Sequence, residues 1–206
     1  LFADLLSFSR GGYVGLLAGG IFFLFASGAL SYWSQRQKMG VFFLVPFLVT
    51  VIFLSPFGTR FLSSFSHTDG SNVERLRLWE EAVIHIAERP FFGVGLGNYP
   101  LLVKPGASYR EPIYAHNLFL DIAVEVGFIG LFFFLGMLVL SSARLFLWWK
   151  IKKDDWLALS LLTALVIFLA HAFFETPLFS VHVLPALLLL IAAGVSYRHE
   201  TISPRA

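Results

Sequence analysis

No cysteine occurs in the 206 residues, which excludes a disulfide framework, a thiolate metal site and a cysteine nucleophile, and leaves the redox compartment unmarked. Charge is scarce as well: 14% of the residues are Asp, Glu, Lys or Arg, against 57% hydrophobic and 17% aromatic. So little polar material cannot cover a water-soluble globule of this size, and lipid has to be the missing solvent. The net charge of +2 is spread over membrane flanks and one long loop rather than gathered in a stripe, which excludes nucleic acid as a partner. A His-Glu-x-x-His arrangement and an aspartate-rich loop are also missing, so neither a metal nor a cofactor is expected. The glycine run Gly93-Val94-Gly95-Leu96-Gly97 lacks a preceding strand and the lysine of a phosphate loop, and reads as a flexible turn after Pro90.

What the chain does have is long apolar runs that hold most of its 24 Phe residues. About five of these runs reach bilayer length, at roughly 20 residues per helix. They are Gly12–Tyr32, Gly40–Phe57, Asn117–Leu140, Trp156–Glu175 and Phe179–Tyr197. The expected fold is an all-α polytopic membrane protein, a bundle of about five transmembrane helices with one extracytoplasmic loop subdomain. Leu1–Phe8 has no basic flank and no small-residue cleavage site, so it is expected to be the end of an interrupted membrane helix in a longer protein rather than a signal peptide. Residues 1–57 then hold that truncated span and two further spans, 58–115 the loop, and 116–206 three spans and a tail.

The 58–115 loop exceeds an ordinary connection and carries its own helix signals. Ser71 and Glu74 match a capping box, Leu76, Trp79, Val83, Ile86 and Ala87 form an apolar stripe, and Arg89-Pro90 ends the pattern. The reading is an amphipathic helix over about 72–89, lying on the membrane surface or on the bundle. Basic residues of the short loops and tail, Arg36, Lys38, Arg144, Lys150, Lys152, Lys153, Arg198 and Arg205, fall on one side. That side is the cytoplasm by the positive-inside rule, which puts the long loop, Ser9-Arg10 and the Pro177 turn outside.

Several ionisable groups gather at that outer side. Arg75 sits in the first turn of the loop helix, where the macrodipole disfavours a cation. Its neighbours three and four residues away, Ser71, Asn72, Leu78 and Trp79, cannot neutralise it, whereas Arg77 has Glu74, Glu80 and Glu81 at those spacings. Arg10 precedes Gly11-Gly12 at the outer end of a span, where Ser9 caps the helix and two glycines permit close approach of a phosphate. His116-Asn117 marks the return of the loop to the membrane. Asp121 and Glu125 follow on the face of Asn117, and carboxylates at such depth are expected to point inward to a polar cavity. His171 and Glu175 lie four apart at the outer end of the fourth span, with His182 beyond the Pro177 turn.

The combination resembles the C-terminal signature domain of the O-antigen ligase and polymerase family. The matching pieces are Ser9-Arg10-Gly11, then Arg75-Leu76-Arg77-Leu78-Trp79 running into Arg89-Pro90-Phe91-Phe92-Gly93-Val94-Gly95-Leu96-Gly97-Asn98, then His116-Asn117-x-x-Leu120 and Glu125-x-Gly127-x-x-Gly130. The resemblance implies an inverting, metal-independent glycosyltransferase in the bacterial cytoplasmic (inner) membrane, with its active site on the periplasmic or extracellular face. Its donor would be an undecaprenyl-pyrophosphate-linked glycan, and its acceptor a glycan, lipid A core or other hydroxyl. Carried over by motif position, Arg10 and Arg75 bind the pyrophosphate and His116 is the catalytic base or orienting group, with Asn117, Asp121, Glu125, His171 and Glu175 as supporting residues. A polymerase of the same family is the nearest alternative. A polysaccharide or anion transporter is the alternative of another class, and would show inverted repeats or broken helices near the midplane.

The orientation is open to direct test, because the chain has no background cysteine. Ser108→Cys should label with an impermeant thiol reagent on intact cells and Ser203→Cys should not; labelling of Ser203→Cys alone would invert the topology.

Overall fold

The computed structural model describes residues 10–28, 33–37, 39–40, 43, 47, 50, 70–106, 113–151, 155–179 and 182–196. These form six α-helices: α1 (Arg10–Ala26), α2 (Gly70–Glu88), α3 (Tyr99–Val103), α4 (Leu118–Ile151), α5 (Trp156–Ala172) and α6 (Val183–Ser196), with a 3-10 turn at Pro177–Phe179. Among the described residues there is no strand. The expected span Gly40–Phe57 lies outside the described residues apart from isolated positions, as do Leu1–Phe8, Ser9, Lys38, Lys152, Lys153, Arg198 and Arg205.

The other expected spans coincide with helices whose ends differ. The first ends at Ala26 rather than Tyr32, the fourth at Ala172 rather than Glu175, and the last starts at Val183 because the 3-10 turn takes up Pro177–Phe179. The third, expected to stop near Leu140, runs on to Ile151 as a helix of 34 residues. It is long and apolar enough to cross a membrane, whereas α1, α5 and α6 are shorter apolar helices.

Side-chain size decides how these helices pack. Gly11, Gly15 and Gly19 recur every fourth residue and turn one bare stripe of α1 against α5. A Cβ on Gly15 would stand 2.8 Å from the carbonyl oxygen of Ile167, and one on Gly11 would stand 2.6 Å from Cδ2 of His171. Small residues allow such backbone approach, and dispersion and shape then hold helices together where the solvent is as apolar as the side chains. Leu138, Leu145, Ala158, Leu162, Leu165, Leu187 and Ile191 form the core between α4, α5 and α6. Ser141 donates to the carbonyl of Ile191 at 3.4 Å, and Arg144 donates to that of Val195 at 2.6 Å, satisfying a terminal carbonyl of α6. Asp155 caps α5 by accepting from the Ala158 amide at 3.0 Å. Outside this core, Phe132, Phe133, Val139, Leu140 and Leu189 remain exposed, an apolar exterior that suits hydrocarbon.

α4 is not continuous. At Gly127 the backbone takes φ 75° and ψ −179°, which breaks the helix and leaves amides and carbonyls without helical partners. The loop after α2 supplies those partners. Val94 and Gly95 donate to the carbonyls of Val124 and Glu125 at 2.8 and 2.9 Å, while the amides of Phe128 and Ile129 donate to Pro90 and Phe91 at 2.7 and 3.3 Å. Gly93, at φ 67°, passes so close that a Cβ would stand 2.5 Å from the carbonyl of Glu125. The glycine run expected to be a flexible turn is therefore a fixed splice into a broken helix. Beyond the break, 128–151 extends about 36 Å at a rise of about 1.5 Å per residue, sufficient for a hydrocarbon core of about 30 Å.

The splice seats α2 over the head of α4. Leu78 and Ala82 are buried with Tyr99, Ala115 and Val124, and Trp79 and Ile86 pack against them. The Tyr99 hydroxyl donates to the carbonyl of Leu78 at 2.5 Å, tying α3 to α2. The predicted stripe thus divides: Trp79 and Ile86 face the protein, but Leu76, Val83 and Ala87 are exposed. Of the predicted capping box, the Ser71 side chain lies outside the described residues, and Glu74 is engaged by Arg77 at 2.6 and 3.0 Å.

Gly127→Ala should destabilise the fold by more than about 1 kcal/mol, because the residue needs positive φ and a Cβ would strike the Phe91 carbonyl. Thermal unfolding of the purified protein in detergent should show a clear loss for Gly127→Ala and little change for Gly136→Ala, where a Cβ meets open space.

Candidate functional site

Three separated pieces of chain meet at the head of α4. α2 contributes Arg75, the segment before α4 contributes His116, and the turn after α5 contributes Glu175. Arg75 Nη2 donates to Glu175 Oε1 at 2.8 Å, and His116 Nδ1 lies 3.1 Å from Glu175 Oε2. One carboxylate thus holds both the arginine and the histidine. Arg75, expected to have no neutralising neighbour, is paired with a residue 100 positions away; helical spacing within α2 could not reveal that partner. Arg77 keeps the local partners expected of it in Glu74 and Glu81.

Glu175 lies beyond the end of α5, in the connecting turn. Burial raises its carboxyl, but the hydrogen bond from His116 and the charges of Arg75, His116 and His171 outweigh that effect and hold it below the usual carboxylate range. The bridge therefore exists at neutral pH and is lost only as pH falls through that lowered value. Arg75 is the most enclosed member, with 19% of its side chain exposed, while His116 shows 40%. The cation is sheltered from screening and the imidazole is open to an incoming molecule.

The backbone under His116 is held with unusual care. His116 has φ 51°, the one positive value outside glycine among the described residues, a conformation that costs on the order of 1–3 kcal/mol. Ala115, just before it, donates its amide to Asp121 Oδ1 at 2.8 Å and accepts from the Trp79 indole at 2.6 Å. The second oxygen of Asp121 accepts from the hydroxyl of Thr176, next to Glu175. Asn117, on the other side, caps α4 through Oδ1, which accepts from the amides of Phe119 and Leu120 at 3.1 and 3.2 Å. Phe119 packs on Phe173 with ring centroids 4.8 Å apart, closing α4 against the end of α5.

The same contacts give the expected supporting residues their partners. Asn117 caps α4 and Asp121 anchors the Ala115 backbone, and their hydrogen bonds go to backbone amides and the Thr176 hydroxyl. Glu125 accepts hydrogen bonds from the amides of Gly97 and Tyr99. Asp121 and Glu125 do point inward and are buried, their oxygens meeting loop backbone amides and the Thr176 hydroxyl. His171 stands behind Gly11, whose missing side chain also leaves room for Glu175: a Cβ there would lie 3.3 Å from Glu175 Cγ. Gly11 is thus used for helix packing. The same contact places the backbone of Arg10, at the start of α1, one residue from Gly11 and beside the site. His182 is exposed beyond the 3-10 turn. Trp79 was legible only as an apolar residue; its indole nitrogen beneath Ala115 gave no signal in the sequence.

Comparison with known proteins fits this geometry. None of the curated proteins compared matches the chain. The family model described as O-antigen ligase matches residues 1–135, a stretch that contains Arg10, Arg75, His116, Asn117, Asp121 and Glu125 and ends before His171 and Glu175. With about two thirds of its length matched, and the arginine and histidine of the matched stretch brought to one carboxylate, the chain belongs to the O-antigen ligase family.

Proposed function

We propose that the site transfers a glycan from an undecaprenyl-pyrophosphate-linked donor to a hydroxyl acceptor at the outer face of the bacterial cytoplasmic membrane, the chain being one part of a multi-pass bundle. The observation that carries this reading is the junction itself: a sheltered arginine and an accessible histidine share one carboxylate. Arginine suits the donor because its planar, permanently charged fork binds phosphate oxygens in pairs. Arg10, at the head of α1 beside this junction, is the second arginine assigned to the pyrophosphate.

The chemistry is an inverting displacement. The acceptor oxygen attacks the anomeric carbon, the bond from that carbon to the pyrophosphate oxygen breaks, and the hydroxyl proton passes to His116. Arg75, sheltered at 19% exposure, and Arg10 stabilise the charge of the departing pyrophosphate. Support for surface chemistry over passage comes from the arrangement of the ionisable groups, which meet where α1 begins, α4 begins and α5 ends. Ligation to a lipid-borne or other acceptor is the form of the reaction proposed, with polymerisation the variant that the same geometry serves.

With purified protein and a lipid-linked donor, Arg75→Ala should abolish transfer and Arg75→Lys should restore only part, since a point charge cannot reproduce the fork. Arg77→Ala should be mild, because that guanidinium is committed to Glu74. His116→Ala should lower turnover about 100- to 10,000-fold with donor binding near normal. Equal activity of the Arg75 and Arg77 alanine variants, or lost donor binding in His116→Ala, would contradict these roles.

A further inference from the structure

Glu175 lies outside the stretch matched by the family, yet it is the residue on which Arg75 and His116 converge. An ionised carboxylate only accepts hydrogen bonds. Glu175 is held in that form by its surroundings, so the 3.1 Å contact requires the proton on Nδ1 of His116. A neutral ring with Nδ1 protonated has its lone pair on Nε2. The side chain that completes the base is therefore neither the adjacent Asn117 nor Asp121, both engaged elsewhere.

We propose that Glu175 is the positioning residue of the reaction: one of its oxygens fixes His116 with Nε2 bare for the acceptor hydroxyl, and the other holds Arg75 until a phosphate of the donor takes its place. The inference rests on the reading of His116 as the base. During transfer the acceptor proton moves to Nε2 while Nδ1–H stays bonded to Glu175, whose charge offsets the imidazolium that forms. When the donor's phosphate replaces Oε1 on Arg75, the whole carboxylate is left to the imidazole, so donor binding readies the base. Among the described residues, the other ionisable groups around the imidazole come from neighbouring elements: Arg75 on α2, Asp121 on α4 and His171 on α5.

The test uses the full-length protein in lipid nanodiscs with a saturating lipid-linked donor. Histidine nitrogen NMR of the unaltered protein should show His116 protonated on Nδ1. Glu175→Gln keeps the shape but removes the charge; it should lower turnover at least about tenfold and move the acidic limb of the kcat/KM profile to lower pH by about one unit, since an imidazolium then lacks its counter-charge. Donor affinity should hold or tighten, and Glu175→Asp should recover part of the rate. An unmoved acidic limb in Glu175→Gln, or an Nε2-protonated ring in the unaltered protein, would overturn the proposal. Full activity in His116→Ala would instead remove the base itself, which separates failure of the underlying reading from failure of this one.

Discussion

The break in α4 at Gly127 is the constraint on which the rest of the structure depends. An interrupted helix in an apolar setting has to find partners for the amides and carbonyls it releases, because each one left bare costs several kcal/mol. The loop after α2 provides four such bonds, and by doing so it fastens its own segment to α4, backbone to backbone. Side chains follow from that attachment. With the loop stitched in place, Ala82 of α2 buries against Tyr99, Ala115 and Val124, the Leu78 carbonyl accepts from the Tyr99 hydroxyl, and the same helix face carries Arg75 to the end of α5.

The site combines opposed tendencies. A left-handed histidine is strained, and a partly buried arginine or glutamate alone would be costly. Each cost is offset by a specific neighbour: Asp121 and Trp79 fix Ala115 beneath His116, and Arg75 and Glu175 neutralise one another. Glu175 is in turn located by Thr176, which bonds to the same Asp121. The carboxylate that anchors the backbone and the one that binds Arg75 and His116 are therefore mechanically linked. α1 reaches the same place by having no side chains in the way, through Gly11, Gly15 and Gly19.

Local patterns in the sequence were informative where the interaction itself is local. Apolar runs located α1, α4, α5 and α6, and helical spacing separated Arg77, with its own glutamates, from Arg75. Spacing could say that Arg75 lacked a nearby partner but not that Glu175 would supply one from another helix end. Asp121 and Glu125 were recognisable as inward-facing, yet their partners are backbone amides and, for Asp121, also the hydroxyl of Thr176 after another helix, which no local side-chain pattern records. Gly127 was quoted as part of a motif without a conformation, since a glycine in an apolar helix is ordinary until a loop is seen to insert beside it. The Gly93–Gly97 run reads in the sequence as a flexible turn, but its fixed role depends on a helix about thirty residues further along the chain. α4 exceeded its expected length because hydropathy marks the lipid-soluble part of a helix, not where hydrogen bonding stops.

The central claim is that Arg75 and His116 serve one reaction at one place, with the donor's pyrophosphate displacing a glutamate from the arginine. It is tested most directly by an experimental structure of the full-length protein with a lipid-linked donor bound. The account predicts pyrophosphate oxygens within hydrogen-bond distance of the Arg75 guanidinium, Glu175 released from Arg75 but still bonded to His116 Nδ1, and the anomeric carbon on the side of His116 Nε2. A donor whose pyrophosphate sits away from Arg75, with the Arg75–Glu175 pair intact, would contradict it.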